Sequence, residues 1–173
     1  MNVGAAPEVA GEIDDEEGDR RGAVPVATHS AWIDADPEQV MTVVTDFEAY
    51  PDFLPEMQKA NIVKSEGPVW EVDFIIKIIR KMNYTLRLEK EAPDRLTWGL
   101  VKGSFRSNDG SWKLAAEGGG TRAEYSIDLQ IGHFVPGNIV RSLVDRTLPE
   151  TVSRFKEEVE RRYPRGSPSS DSK

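Results

Sequence analysis

Between Met57 and Ile131 apolar and polar residues alternate with a period of two, and this pattern limits most strongly how the chain can fold. Turn-forming residues interrupt the alternation at short intervals, among them Gly67-Pro68, Pro93-Asp94 and Gly118 to Gly120. Segments joined by such short turns pair as antiparallel hairpins. The pattern therefore predicts about six consecutive strands in one antiparallel sheet, with one apolar face that needs a cover.

A further set of turn residues, Asn108-Asp109-Gly110, lies inside the alternating region and ahead of Trp112. Asn, Asp and Gly tolerate the backbone conformations of tight turns, and glycine is also frequent in β-bulges. We therefore expect a tight turn or a bulge at these three residues.

The segment from Gly137 to Tyr163 carries a helical pattern that can supply the cover. Pro149 interrupts this helix because proline lacks a backbone donor, and Thr147 with Glu150 resembles a capping box that restarts it. We expect a bend or break at this point. The apolar residues that recur at steps of three and four, and that we expect to face the sheet, are Val140, Val144, Leu148, Val152, Phe155 and Val159.

The residues before the alternating region predict one further strand and two short helical segments. Val24 to Asp34 suits a first strand. A capping acid, a proline in the first turn and Gln39 three residues after the cap start a helix at Asp36-Pro37. Tyr50 to Pro55 contains two prolines and predicts a short turn or second helix. The sequence does not decide which face of this first strand points to the core. One face carries Val26, Thr28, Ser30 and Trp32, and the other carries Ala27, His29, Ala31 and Ile33.

Together these elements predict an α+β, helix-grip fold. A curved antiparallel sheet of six or seven strands wraps on a long C-terminal helix, and two short helices follow strand 1. Residues 1–22 are acidic and poor in large apolar side chains, and residues 164–173 are rich in Pro, Ser and charge. We expect both ends to be disordered tails, because neither buries enough surface to offset its ordering entropy. The folded domain is then residues 23–163.

The charge distribution argues against nucleic acid as a partner. The net charge is -8 and the pI about 4.9, and much of the excess acid lies between Glu8 and Asp19. The remaining chain is closer to neutral and has no basic block. Strong attraction to phosphate is therefore not expected.

The small numbers of cysteine and histidine residues exclude several kinds of catalytic and metal site. The chain has no cysteine and only two histidines, so thiol chemistry is excluded and no metal site or other cofactor is expected. No glycine-rich phosphate loop precedes a helix. Neither a signal peptide nor an integral membrane segment is recognisable, so we expect a cytoplasmic protein, and we expect a monomer.

Two segments carry a resemblance to a known family, Ile33 to Val40 and Thr45 to Pro55. With the order of elements they resemble the START-like, SRPBCC helix-grip superfamily of polyketide cyclase/dehydrases and lipid-transport proteins. Val101 to Phe105 followed by Gly110 to Leu114 is similar to its coenzyme Q-binding and ribosome-association-toxin branch. The resemblance implies an elongated apolar cavity between sheet and helix that carries a hydrophobic small molecule such as a lipid, quinone or polyketide.

Candidate site residues are those that combine apolar walls with polar tips on the predicted inner face. Taken singly, each of the aromatic residues among them is better explained by plain core packing, but as a set they favour a ligand pocket. Phe53 and Leu54 are equally compatible with a gate or with a staple on the first helix. The predicted cavity walls are Trp70, Phe74, Ile76, Tyr84, Leu86, Trp98, Leu100, Trp112, Tyr125, Val144 and Leu148, and the predicted rim is Tyr50, Phe53 and Leu54.

Three functions fit this pattern. The first is non-catalytic binding or transport of a hydrophobic ligand. The second is a polyketide cyclase or dehydratase, in which a pocket tyrosine, His29 or an inward-turned Arg141 positions an enol or carries a proton. The third is a ribosome- or protein-interaction module in which the pocket is incidental. Because the predicted inner face has no carboxylate, we favour binding over catalysis.

Overall fold

A computed structural model describes residues 23–78, 80–132 and 136–165. Strand β1 is followed by helix α1, a 3₁₀ turn and helix α2, then by six strands and a C-terminal helical region. The elements are β1 Ala23–Ile33, α1 Pro37–Val44, the 3₁₀ turn Phe47–Ala49, α2 Tyr50–Phe53, β2 Met57–Glu66, β3 Val69–Lys77, β4 Lys81–Ala92, β5 Arg95–Gly103, β6 Ser107–Glu117, β7 Gly120–Gln130, α3 Gly137–Ser142, the π turn Leu143–Thr147 and α4 Leu148–Arg162.

The seven strands form one sheet in the order β1-β7-β6-β5-β4-β3-β2. All neighbouring strands are antiparallel. The strands from β2 to β7 pair in sequence order because short turns join them, whereas β1 pairs with the last strand, with Ala31 opposite Ala123. The sheet and the C-terminal helices confirm the predicted α+β helix-grip architecture.

The structure resolves the open choice for β1. Ala27 and Ile33 are buried, while Thr28 and Ser30 are exposed, so the set containing Ala27 faces the core. The Trp32 indole lies on the other face, where Nε1 donates a hydrogen bond to the carbonyl oxygen of Glu117 at 2.7 Å.

The first helix begins where the sequence predicts. The backbone N–H of Asp36 donates to the Gln39 Oε1 atom at 2.9 Å, as in a capping box, and Pro37 occupies the first turn. Val40 and Val44 of α1 are fully buried, and so is Phe47 in the 3₁₀ turn. These side chains hold the helical segment against the sheet.

The predicted turn or bulge at Asn108-Asp109-Gly110 is wrong, because these residues lie inside β6 and pair in unbroken register with β7. The chain turns instead between Gly103 and Ser107. Gly110 lies opposite Trp98, and a Cβ atom there would be 2.3 Å from Trp98 Cζ2. Glycine is therefore present because the indole packs on the bare backbone.

The predicted interruption near Pro149 is a π turn at Leu143–Thr147, in which the Leu148 N–H donates to the carbonyl oxygen of Leu143. Proline has no N–H to donate to the carbonyl oxygen four residues earlier, and the wider turn lies next to this missing bond. The predicted capping box is wrong, because Thr147 has helical dihedral angles and its side chain caps no backbone N–H. The helical region thus continues through the interruption.

Ionic contacts and hydrogen bonds connect the end of α4 to the segments on either side of α1. Arg162 Nη1 lies 2.9 Å from Asp46 Oδ2, just beyond α1. Arg165, in the predicted C-terminal tail, donates to Asp36 Oδ1 at 2.9 Å and to the Gly119 carbonyl oxygen at 3.1 Å. The predicted tail at residues 1–22, and residues 166–173 of the predicted tail 164–173, lie outside the described residues.

Candidate functional site

The apolar face of the sheet and the helical region enclose a cavity of about 150 Å³. Its walls come from β3 to β7 and from the π turn and α4, while α2 and the start of β2 contribute at one end. Its lining residues are Tyr50, Leu54, Glu56, Met57, Phe74, Ile76, Ile78, Tyr84, Leu86, Leu88, Leu96, Trp98, Phe105, Asn108, Trp112, Tyr125, Ile127, Leu129, Leu143, Thr147, Leu148, Thr151 and Phe155.

The cavity reaches the surface at one end of the sheet. The lining residues Glu56, Met57, Ile78 and Thr147 are only partly buried, and they lie where β2 starts, where β3 ends and where the π turn ends. Apart from Trp98 and Thr151, which are also partly buried, the other wall residues are buried, among them Phe74, Leu96 and Phe155. A ligand would therefore enter at the end that carries the β3–β4 connection.

Most of the residues predicted for the site lie together around this cavity. They occupy the alternate, inward-facing positions of β3, β4, β5, β6 and β7 or the apolar face of α4. Two of the three predicted rim residues also line the cavity. The predicted residues found in the lining are Phe74, Ile76, Tyr84, Leu86, Trp98, Trp112, Tyr125 and Leu148, with Tyr50 and Leu54.

Two predicted residues lie outside the lining because aromatic partners hold them elsewhere. Trp70 packs edge-on against Phe47, with ring centroids 5.2 Å apart. Phe53 packs edge-on against Phe155 at 5.2 Å, on the helix side of the cavity end. Both are partly buried and contribute to the core around α2 rather than to the lining.

Two more predicted residues lie outside the lining, because strand pairing ends before one of them and a π turn shifts the helical period at the other. Leu100 lies beyond Trp98, where β5 no longer pairs with β6. Val144 is replaced in the lining by Leu143, because a π turn brings residues five apart onto the same side and so aligns Leu143 with Leu148. Leu143 is 3% exposed, whereas Val144 is only partly buried.

Several lining residues were absent from the predicted set. Ile78, Leu88, Leu96, Ile127 and Leu129 share the inward parity of residues that were chosen, so alternation alone could have added them. Thr151 and Phe155 follow Leu148 at helical spacing. Glu56, Met57, Phe105, Asn108 and Thr147 lie at strand ends, in turns or beside the π turn, where no simple period applies.

Aromatic rings form a continuous wall along the cavity. Phe74 stacks on Tyr84 with centroids 5.3 Å apart, and Tyr84 meets Phe105 edge-on at 4.8 Å. On the other side Trp112 lies 4.9 Å from Tyr125. These ring contacts make the wall aromatic and almost entirely apolar.

Two tyrosine hydroxyl groups are the principal polar atoms of the wall. Tyr84 and Tyr125 line the cavity, and neither side chain hydrogen-bonds to a described residue. Burial raises the pKa of the Tyr84 hydroxyl well above its ordinary value, and the nearby Tyr125 raises it further. Burial likewise raises the pKa of Tyr125. Both groups therefore stay protonated at neutral pH and can donate hydrogen bonds into the cavity.

Two further polar groups of the wall already have partners. The Tyr50 hydroxyl donates to the carbonyl oxygen of Val44. Trp98 Nε1 donates to Asn108 Oδ1 at 3.0 Å. The buried Asn108 thus fixes the indole plane, and these groups hold the wall in place rather than face a ligand.

The ionisable groups expected for catalysis lie elsewhere. His29 is outside the lining, and its Nε2 atom is buried without a hydrogen-bond partner among the described residues. Arg141 is exposed on α3, so the expectation that it turns inward is wrong. Glu56 is a carboxylate in the lining, at the open end, although the sequence predicted none there. Within the described ranges, no group of three potential metal ligands converges.

The described part of the chain contains no helix with the length and apolar character needed to cross a membrane. No curated protein matches the sequence. Solved structures with the same architecture are numerous, and three illustrate the likeness.

A START superfamily protein from Mycobacterium smegmatis is 21% identical, with a TM-score of 0.71 over 79% of this chain and 97% of that chain. The Zhui aromatase/cyclase from a Streptomyces species is 15% identical, with a TM-score of 0.70 over 79% and 94% of the two chains. A STAR-related lipid transfer protein from Xanthomonas axonopodis is 13% identical, with a TM-score of 0.66 over 77% and 84%. At these identities the likeness shows the fold alone.

The sequence itself matches a family directly. The family described as polyketide cyclase / dehydrase and lipid transport matches residues 33–156, from the end of β1 into α4. This range includes every residue that lines the cavity. The chain therefore belongs to the polyketide cyclase / dehydrase and lipid transport family, within the START-like helix-grip superfamily.

Proposed function

We propose that this protein binds an apolar small molecule that carries a carbonyl group. The observation that supports this most directly is the pair of protonated hydroxyl groups, on Tyr84 and Tyr125, in an otherwise apolar cavity. Each hydroxyl group lines the cavity without a hydrogen-bond partner among the described residues, so each can donate to an acceptor on a ligand. A quinone, a polyketide or a fatty acyl ester offers such an acceptor.

The cavity volume limits how much of the ligand is enclosed. An apolar cavity of about 150 Å³ holds a molecule of the size of benzene, whereas pockets for drug-sized ligands have volumes of ~300 to 1,000 Å³. We infer that one ring or a short acyl segment lies between the tyrosines. The rest of a longer ligand would extend through the open end beside Glu56 and Ile78.

The first experiment is native mass spectrometry of the freshly purified full chain, followed by extraction of any bound molecule. It is paired with titration of a short-chain benzoquinone, monitored by tryptophan fluorescence. Trp98 and Trp112 line the cavity and should be quenched on binding, whereas Trp32 and Trp70 lie outside it. Saturable quenching is the expected result.

Substitutions on α4 test where the ligand binds. Leu148→Arg introduces a charge into the lining and should abolish quenching, while Ser153→Arg adds the same charge on the exposed side of the helix and should leave it unchanged. Leu148→Phe fills space without a charge and should weaken binding if Leu148→Arg fails to fold. Unchanged binding in a folded Leu148→Phe variant would place the ligand elsewhere.

A cyclase or dehydratase is the second candidate, because Glu56 places a carboxylate at the open end of a cavity that also holds two hydroxyl donors. In that function the carboxylate would accept a proton and the hydroxyls would stabilise an enolate oxygen. The test is turnover of a poly-β-ketone substrate by the wild type, Glu56→Gln and Tyr84→Phe. Absence of product from wild-type protein that still binds the substrate would exclude this candidate.

A further inference from the structure

Four lysines lie on the outer face of the sheet, opposite the cavity, near the end where the cavity opens. We call Lys59, Lys77, Lys81 and Lys102 the lysine patch; all four are exposed. Two of them, Lys59 and Lys102, border a cleft of about 340 Å³ across β2 to β5. The other lining residues include four with polar side chains, Asn61, Asp73, Asn83 and Thr85.

The positive charge of this patch is poorly compensated. Lys77 lies directly opposite Lys81 in the β3–β4 register, an arrangement of like charges that destabilises a strand pair. None of the four lysines forms an ion pair with a described residue. Asp73 supplies a carboxylate in the cleft, but its Oδ1 atom already accepts a hydrogen bond from Thr85. The patch therefore favours an acidic partner.

The same chain carries such a partner close to the patch. Residues 12–19, which we call the acidic segment, contain Glu12, Asp14, Asp15, Glu16, Glu17 and Asp19. The segment ends four residues before β1 begins at Ala23. Ala23 pairs with Gln130, and Gln130 pairs with Ser107. The chain thus enters the sheet at the end that also carries the β3–β4 connection and Lys102.

The distances allow the acidic segment to reach the patch. Paired strands lie about 4.8 Å apart, and β5 leaves β6 beyond Trp98, so Lys102 on β5 is at least about 14 Å across the sheet from β1 and Lys77 on β3 at least about 24 Å. A chain spans at most about 3.4 Å per residue. Glu17 can therefore lie up to about 20 Å from Ala23, Asp14 up to about 30 Å and Glu12 up to about 37 Å, so the segment is long enough to reach both lysines across the wider β5–β6 spacing.

We propose that the acidic segment docks on the lysine patch of its own chain. Each exposed ion pair is weak, but several pairs joined by a short tether act at a high effective concentration. The docked segment would run across β5, β4 and β3 on the outer face and would shield the patch from other acidic molecules. The interaction is ionic, so it should weaken as salt rises.

The test is zero-length carbodiimide coupling of the full chain, which joins a lysine amine to a carboxylate only when the two are in contact. Coupled peptides are identified by mass spectrometry in the monomer fraction at low protein concentration. We expect links from residues 12–19 to Lys77, Lys81 and Lys102 at low salt, reduced at least severalfold in 0.5 M NaCl. Lys64 and Lys113 are the matched controls, because both are exposed but lie toward the opposite end of the sheet.

Equal coupling of the acidic segment to Lys64, Lys113 and the patch would overturn the proposal. Links confined to dimers would assign the patch to a second copy of the chain and would also overturn it. An independent measurement uses the full chain with Asp14→Asn, Asp15→Asn, Glu16→Gln and Glu17→Gln. Its backbone amide NMR signals should shift at Asn83, Thr85 and Lys102 and stay unchanged at Lys113; no shift at the patch contradicts docking.

Discussion

Gly110 shows how a single missing side chain positions the cavity wall. The Trp98 ring lies on its backbone, and Trp98 Nε1 is held by Asn108 two residues earlier on the same strand. The inward position of Trp98 therefore depends on one glycine and one buried amide. A residue with a Cβ atom at position 110 would have to displace the indole or the Ser126 carbonyl oxygen, 2.5 Å away.

We predict that Gly110→Ala lowers the free energy of unfolding by about 1 to 3 kcal/mol, since an added methyl group overpacks this contact. Urea denaturation measures the change. Gly137→Ala is the control, because a Cβ atom there has no neighbour within 4 Å and α3 begins at this residue. The control should be neutral or slightly stabilising, and equal losses in the two variants would contradict the packing explanation.

The two cavity tyrosines make a different prediction, which concerns ligand chemistry. If each hydroxyl donates to a ligand carbonyl, Tyr84→Phe or Tyr125→Phe removes one hydrogen bond worth about 1 kcal/mol and weakens quinone binding about fivefold. The same variants should bind a hydrocarbon of similar size as well as the wild type does. Calorimetric titration with both ligands measures the contrast. Equal weakening for both ligands would indicate altered cavity shape rather than a lost hydrogen bond.

At the scale of elements, the π turn determines which side chains of the C-terminal helical region face the sheet. It places Leu143 in the lining and Val144 beside it. We predict that Leu143→Ala costs about 2 to 4 kcal/mol of unfolding free energy, as for other buried leucines. Val144→Ala should cost less than about 1 kcal/mol. Urea denaturation of the two variants compares them directly, and the reverse order would mean that the regular helical register is the correct one.

The end of α4 gives a pH-dependent prediction. Glu158 is buried beside Arg161 and Arg162, and hydrogen bonds from Arg161 and then Arg162 lower the pKa of its carboxyl group from its ordinary value despite desolvation. A carboxylate with a lowered folded-state pKa stabilises the fold above its unfolded pKa of about 4.3, and this contribution is lost as pH falls through the folded value.

We therefore expect Glu158→Gln to lower the unfolding free energy at pH 7 by on the order of 1 kcal/mol. The difference from wild type should shrink as the pH falls below about 4.3. Glu157→Gln, on the exposed side of the same helix, serves as the control and should change little at any pH. Urea denaturation between pH 3 and pH 7 is the measurement, and a difference that grows in acid would contradict the assigned sign.

The sequence predicted the strands correctly but misplaced a turn, and both outcomes have a physical reason. Alternation with a period of two identified β2 to β7 because one face of each strand is buried, so Phe74, Tyr84 and Trp112 could be placed inward from parity alone. The turn assigned to Asn108–Gly110 failed because glycine has two uses, turn formation and close packing, and only the position of Trp98 distinguishes them.

For the site residues, too, a local sequence pattern does not reveal the tertiary contacts that decide their positions. Val144 was chosen from a regular helical period, but Pro149 left a carbonyl group without its usual donor and the chain responded with a turn of different period. Leu100 was chosen from parity, but β5 and β6 separate beyond Trp98. Contacts formed at strand ends, such as those of Glu56 and Phe105, depend on tertiary structure and have no local pattern.

For the whole molecule, a bound ligand should act as a further stabilising contact between sheet and helices. A ligand that binds only the folded state adds about 2.7 kcal/mol to the unfolding free energy at a hundredfold excess over its Kd. We predict that a saturating short-chain benzoquinone raises the urea midpoint of unfolding accordingly. The slope of the unfolding free energy against urea concentration should stay the same. The Leu148→Arg variant should show no shift, and an equal shift in that variant would indicate binding outside the cavity.

The place of β1 beside β7 has a consequence for synthesis on the ribosome. β1 ends at Ile33, while the strand that receives it begins at Gly120. At about 5 to 20 residues per second, the first strand leaves the exit tunnel roughly 4 to 17 seconds before its partner does. During that interval β2 to β6 can already form hairpins, but the nascent first strand has no edge to join. The sheet therefore closes last at its N-terminal strand, and the cavity exists only once nearly the whole chain has been made.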